Sequence, residues 1–113
     1  MILLPRIDKL EREPAYLELR FLVPAGNPYF EGHFRDIGLL PGVVQVGWAI
    51  ELARVHIPYS GRFRALSAVK FMRVIKPDSA VTLRLAVDPQ RRELSFDYRL
   101  AGEPCSSGRV LFH

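Results

Sequence analysis

The stretch Pro41-Gly-Val-Val-Gln-Val-Gly-Trp-Ala-Ile-Glu-Leu-Ala-Arg-Val55 decides the architecture. Proline is tolerated in the first turn of a helix, where its missing N–H would have no partner, so Pro41 opens one. The helix stops before Pro58. Only Gln45, Glu51 and Arg54 are polar along it. A helix apolar nearly all round is expected to be buried on most sides. It therefore needs a cover, and the chain on either side supplies strands.

Ala15 to Val23 alternates, with Leu17, Leu19 and Phe21 facing one way and Glu18 and Arg20 the other. That is the pattern of a half-buried strand. After the helix, Phe63 to Val74 alternates Val69 and Phe71 against Lys70. A turn at Lys76-Pro-Asp-Ser79 leads to Val81, Leu83, Leu85 and Val87 alternating with Thr82, Arg84 and Asp88. A turn at Asp88-Pro-Gln90 leads to Leu94, Phe96, Tyr98 and Leu100, and one at Ala101-Gly-Glu-Pro104 leads to a last strand ending near Phe112. Short turns between successive strands predict an antiparallel meander. The segment Met1 to Pro14 is charged and reads as irregular. The expected fold class is α+β, a curved antiparallel sheet wrapped around one buried helix.

The 113 residues make a single domain, residues 1–113, too short for a doubly wound nucleotide-binding enzyme. A composition 49% hydrophobic and 25% charged argues against disorder. A single cysteine, Cys105, excludes an internal disulfide framework and a multi-cysteine zinc site, and is expected to serve packing. His33, His56 and His113 lie too far apart for a local metal motif, so no metal or organic cofactor is expected. The 16 Lys and Arg against 12 Asp and Glu leave a formal charge of +4, and most cations are arginine. Guanidinium forks suit phosphate and carboxylate partners. The cations are scattered, many at alternate strand positions (Arg84, Arg99, Arg109), which fits solvated faces better than a nucleic-acid surface. The start, MILLPRIDKL, lacks a cationic segment before its apolar run, and Ile37 to Ile50 is too short to span a bilayer. A soluble cytoplasmic protein is expected, binding neither membrane nor nucleic acid.

Chemistry is expected where a long loop, Pro24 to Leu40, meets the helix start. The helix has no Ser, Thr, Asp or Asn cap, so the N–H groups of Gly42 to Val44 lack a side-chain partner. Free donors at a positive dipole end suit an oxygen that gains negative charge. Gly42, without a Cβ, lets a ligand approach its backbone. Water or a loop carbonyl would satisfy the same donors equally well. In Tyr29-Phe-Glu-Gly-His-Phe34, flanking aromatics would hold the His33 imidazole near neutrality, where it can act as a base. A structural histidine in an aromatic loop is the competing reading. His56 reads as a cap on the helix dipole, and Trp48 as core or dimer packing.

The run Asn27-Pro-Tyr-Phe-Glu-Gly-His-Phe-Arg-Asp-Ile-Gly-Leu-Leu-Pro-Gly-Val-Val-Gln45 resembles the signature of the 3-hydroxyacyl-(acyl-carrier-protein) dehydratases, which have the hotdog fold. Val69-Lys-Phe-Met-Arg-Val-Ile-Lys-Pro-Asp78 follows in the family's order and spacing. Pro41 to Trp48 looks most like the subgroup acting in aryl-polyene synthesis. The resemblance implies elimination of water from a 3-hydroxyacyl thioester to a trans-2-enoyl product. His33 would be the catalytic base and the Gly42 N–H the anchor of the thioester carbonyl. It also implies an acyl carrier protein that delivers substrate on a phosphopantetheine arm, steered by a basic surface including Arg35, Arg62 or Arg64. Tyr29, Phe30, Phe34, Val43, Val46, Gly47 and Trp48 are candidate walls of the acyl tunnel, although core packing explains Tyr29, Phe30, Val46 and Trp48 equally well.

The chain departs from the family at one decisive place. The family acid lies fourteen residues after the histidine, and that position is Gly47. The loop differs too, at Arg35, Asp36 and Gly38, where the family usually carries proline, glycine and proline. Hydroxide leaves poorly, so losing its proton donor should cost about 10²–10⁴-fold. Helix propensity does not explain the glycine, which costs about 1 kcal/mol against alanine. Three readings follow. Glu51, one turn on and about 6 Å along the axis, or Asp36, replaces the donor; for Glu51 a salt bridge with Arg54 is the competing reading. Alternatively the chain, as a homodimer or a heterodimer with a related hotdog chain, takes its acid from its partner. Or it is a silent acyl-binding module, or a thioesterase, and Gly47 only widens the tunnel.

Overall fold

The computed structural model describes residues 4–24, 39–57, 59 and 61–113. Six strands and one helix occur among them: β1 (Lys9–Arg12), β2 (Leu17–Leu22), α1 (Gly42–His56), β3 (Phe63–Phe71), β4 (Ala80–Asp88), β5 (Glu93–Leu100) and β6 (Glu103–Phe112). All pairs are antiparallel, in the order β1-β2-β4-β5-β6-β3. This is the α+β arrangement that the hotdog resemblance implies.

Two strand expectations need correction. The first segment is not irregular, because Lys9–Arg12 pairs with β2. Its residues lie at the sheet edge, three of the four exposed, so no alternation marked it in sequence. Nor is the sheet a simple meander. β4, β5 and β6 follow one another, but β3 lies at the far edge beyond β6, while β2 occupies the place beside β4. The turn at Lys76–Ser79 is thus the end of a crossover. It is tied to β2, with Asp78 N–H donating to the Val23 carbonyl (2.8 Å) and Val23 N–H to that of Ser79 (2.9 Å). Asp78 adopts a positive φ of 66° to make this corner.

The core forms between α1 and one sheet face. Trp48, Ala49, Leu52 and Ala53 are buried with Leu19, Phe21, Leu83, Leu85, Phe96 and Tyr98. Phe21 meets Trp48 edge to face, with ring centroids 5.8 Å apart. Cys105 is fully buried, as a packing residue should be, and burial pushes its thiol pKa up.

The helix itself is not buried on most sides. Val43 is 77% and Val55 64% exposed, and Glu51 and Arg54 are exposed beside them. Spacings of four along the helix put Val43, Gly47, Glu51 and Val55 on one open face. The edge strand adds Phe63, Leu66 and Phe71, each about half exposed. Phe63 pairs with Phe112, Leu66 with Val110 and Phe71 with Ser106, all buried partners, so these three side chains share the helix's side of the sheet.

On the other face, Glu18 is almost fully buried despite its charge. It accepts from Arg84 and Arg20, each at 3.0 Å, and Arg84 lies over the Tyr16 ring at 4.6 Å. Arg99 bonds Asp97 at 3.1 Å. Of the alternating arginines, Arg84 thus pairs across strands and Arg99 along its own strand, so these two are not simply solvated.

Candidate active site at the helix tip

Pro41 is the N-cap, one residue earlier than a first helical position, and it makes no side-chain cap bond. Its carbonyl accepts from the N–H of both Val44 and Gln45, at 3.1 Å each. Val44 is therefore satisfied, contrary to the expectation of three free donors. Gly42 and Val43 remain: neither N–H has an acceptor among the described residues. Two donors at the head of a half-buried helix, with the positive end of its dipole, form an anion-favouring spot.

A cleft of about 310 Å³ opens beside the tip. The chain before the helix (Leu39, Leu40) forms one side, the tip (Gly42, Gln45) the floor, and the segment leaving β3 (Phe71 to Val74) the other side. Phe71 presses on Gly42 so closely that a Cβ there would lie 2.6 Å from the ring's Cζ. A side chain at this position would push the ring aside as well as narrow the access to the backbone. Arg73 is the charged group in the lining.

The tip is anchored from below by a buried polar network. Gln45, 4% exposed, donates through Nε2 to the Leu40 carbonyl at 3.0 Å. Its Oε1 accepts from Ser106 Oγ on β6 at 2.6 Å, and its main-chain carbonyl accepts from the Tyr98 hydroxyl on β5 at 2.6 Å. Leu40 N–H in turn donates to the Ile75 carbonyl at 2.6 Å. Burial pushes the Tyr98 phenol pKa well above its ordinary value. Sequence reasoning noted Gln45 only as a polar residue in an apolar helix. A lone carboxamide at a position otherwise fit for leucine was the available signal, since such a group is kept inside only when bonded.

Among the other expected site residues, Gly47 is half-buried and Val43 and Glu51 are exposed on the helix's open face. Arg54 does not pair with Glu51. It donates to the Gly61 carbonyl (3.3 Å) and lies over the Tyr59 ring (5.4 Å). Val46 and Trp48 point into the core. His56 ends the helix, where it stands with Arg54 in the last turn. Arg62 and Arg64 are exposed. His33, Tyr29, Phe30, Phe34, Arg35, Asp36 and Gly38 lie outside the described residues. Among the described residues no cluster of side chains could hold a metal ion, and no helix is long and apolar enough to cross a membrane.

The family model described as ApeI-like, ApeI dehydratase, matches residues 9–109. The 3-hydroxyacyl-[acyl-carrier-protein] dehydratase FabZ of Roseiflexus sp. (strain RS-1) is 29% identical over an alignment covering 98% of this chain and 84% of that relative. The FabZ of Caldanaerobacter subterraneus subsp. tengcongensis is 26% identical, with 82% of this chain and 70% of the relative covered. Among solved structures, the dehydratase heterocomplex ApeI:P from Xenorhabdus doucetiae matches with a TM-score of 0.83 and 25% identity, covering 95% of this chain and 96% of that one. Thioesterase superfamily member 2 from Mus musculus shares the fold, with a TM-score of 0.66 at 15% identity over 90% of this chain and 77% of that one.

Proposed function

Since the chain belongs to the family of ApeI-like dehydratases, we propose that it removes water from a 3-hydroxyacyl thioester borne by an acyl carrier protein, in a site completed by a second hotdog chain. The observation that carries this reading is the helix tip, where the Gly42 N–H, without an acceptor among the described residues, borders an open cleft. The Gly42 N–H holds the thioester carbonyl as the α-carbon loses its proton to His33, and the charge that builds on that oxygen meets a preformed donor. The α-carbon's electron pair becomes the new C=C bond. The β C–O bond breaks, and the departing oxygen takes a proton to leave as water.

The donor of that last proton comes from the partner. Gly47 carries no acid, and Glu51 sits a full turn further from the tip, exposed, on the face where a second chain would lie. That face and the open edge of β3 together present Val43, Val55, Phe63, Leu66 and Phe71. Apolar side chains grouped this way mark an association surface. A strand with an unpaired edge accepts another strand. A related chain bearing the missing acid is favoured over a second copy, because a second copy would bring another glycine. The solved ApeI:P assembly is a heterocomplex, which supports the same choice. Exposed Arg62 and Arg64 would meet an acidic carrier protein, an attraction that weakens as salt rises.

The test is hydration of a trans-2-enoyl thioester by the purified chain, alone and with an acid-bearing homologue. The expected result is slow or absent turnover alone, restoration in the mixture, and its loss with His33→Ala in this chain. Turnover that ignores His33, in every mixture, sinks the reading. Release of free acid and thiol instead of hydration would make the protein a thioesterase.

A further inference from the structure

We infer that Gln45 is a positioning residue for this reaction: its carboxamide fixes where the helix tip, and with it the Gly42 N–H, sits relative to the cleft. The inference rests on the dehydratase reading, which gives the Gly42 N–H its task. The groups concerned lie on three successive residues, Leu40, Pro41 and Gly42. Leu40 is clamped at both ends, its N–H to Ile75 and its carbonyl to Gln45 Nε2. Pro41 follows, with φ held near −61° by its ring. Gly42 comes next and is the most freely rotating residue type. The Pro41 carbonyl shares a peptide with the Gly42 N–H and is held by the Val44 and Gln45 N–H groups, so the tip moves as one unit. The carboxamide's bond to the Leu40 carbonyl, which has no other donor among the described residues, sets where that unit sits. Ser106 Oγ fixes the carboxamide's other end, so the tip is referenced to β6 and not merely to its own helix.

Stability alone does not account for the amide. Gln45 is 4% exposed beside the apolar core, and a leucine there would need no polar partners of its own. Both polar ends of its side chain are bonded, one to the Leu40 carbonyl on the chain entering the helix and the other to the Ser106 hydroxyl on β6. A reacting group displaced by about 1 Å can cost on the order of 10²-fold in rate. The clamp therefore belongs to kcat more than to substrate affinity, because the carbonyl's charge grows only as the proton leaves.

The experiment compares the wild type with Gln45→Leu, Ser106→Ala and the double variant, in whichever mixture supports turnover. Gln45→Leu leaves a buried hydroxyl on Ser106 without its partner, and the double variant removes that orphan. The expected result is a tenfold to hundredfold fall in kcat for Gln45→Leu, with KM within about threefold of wild type. The double variant regains thermal stability yet stays equally slow, while Ser106→Ala alone keeps kcat within about threefold because the Leu40 bond remains. Recovery of kcat along with stability in the double variant overturns the inference, as does wild-type kcat in Gln45→Leu. Should the wild type show no turnover in any mixture, the dehydratase reading fails, and the clamp is judged by the Gly42 and Val43 amide resonances on adding butyryl-pantetheine. A shift in wild type that Gln45→Leu abolishes upholds the clamp, and equal or absent shifts in the two proteins overturn it.

Discussion

The ring of Phe71 covers Gly42, leaving 2.6 Å between its Cζ and the place where a β-carbon would stand. The contact joins the edge strand to the helix tip. It also explains why the first helical residue is the one least suited to helices. In Gly42→Ala the ring must swing away, which is cheap because its far end is half exposed. Alanine's better helix propensity, at most about 1 kcal/mol, offsets much of the strain. The expected outcome is a urea-unfolding free energy within about 1 kcal/mol of wild type, with thioester turnover reduced at least tenfold by the methyl at the cleft floor. A loss of several kcal/mol would show the ring to be pinned instead.

Tyr98 gives a pH signature. Its hydroxyl donates to the Gln45 carbonyl inside the core, and burial raises its pKa well above the usual phenol value of 10.0. The folded state therefore binds this proton more tightly than the unfolded chain. The stabilisation is complete below about pH 10 and is lost as pH rises above that value toward the folded pKa. Tyr59, raised by burial as well, adds in the same direction. Tyr98→Phe should cost about 1–2 kcal/mol at neutral pH and flatten the decline in unfolding midpoint above pH 10. Denaturant titrations at pH 8 and at high pH, for both proteins, check this. An equally steep decline in the variant would assign it to other groups.

Glu18 joins Arg20 and Arg84 on the sheet face opposite the helix, and its side chain is 8% exposed while the two arginine side chains are 50% and 41% exposed. Losing one partner of a fully buried pair costs about 3–5 kcal/mol, but half-exposed arginines keep much of their hydration. Glu18→Ala is therefore expected to destabilise by about 1–2 kcal/mol. Glu18→Leu, which refills the volume, should cost less. Thermal unfolding of both variants tests the ordering, and the reverse order would mean that volume is unimportant there.

The open helix face makes opposite predictions for its two central positions. Gly47→Asp restores an acid at the family position, so the chain alone should gain about 10²-fold or more in hydration rate. Glu51→Gln should change the rate of the complete mixture less than threefold, because Glu51 lies a turn beyond Gly47, further from the tip, and is exposed. A large loss in Glu51→Gln, without gain in Gly47→Asp, would make Glu51 the proton donor. Enoyl-thioester kinetics on both variants decide the matter.

Much of the fold could be read from residue spacing. β2, β4, β5 and β6 each bury one face and expose the other, so Leu17-Leu19-Phe21 or Leu94-Phe96-Tyr98 announce themselves. Lys9–Arg12 escaped notice because most of its side chains are exposed. The position of β3 also escaped, since a short turn does not say whether the next strand is a neighbour or lies across the sheet. Composition made α1 look buried all round, when its apolar open face instead suits a second chain. At the site, the uncapped tip and Gly42 were legible from Leu40-Pro41-Gly42. The part played by Gln45 was not, because its partners Ser106 and Tyr98 are more than fifty residues away and meet it only through folding.

The crossover after β3 has a consequence for relatives of this chain. One wall of the cleft, Phe71 to Val74, belongs to the span that leaves the sheet edge, while the opposite wall belongs to the approach to the helix. The two walls come from separate spans of backbone. An insertion or deletion between Met72 and Val74, short of the Ile75 carbonyl that anchors Leu40, would thus reshape the chamber while the helix, its amides and the sheet beneath stay where they are. Acceptance of bulkier or slimmer acyl groups can diverge through the length of that one span, with no exchange of reacting groups.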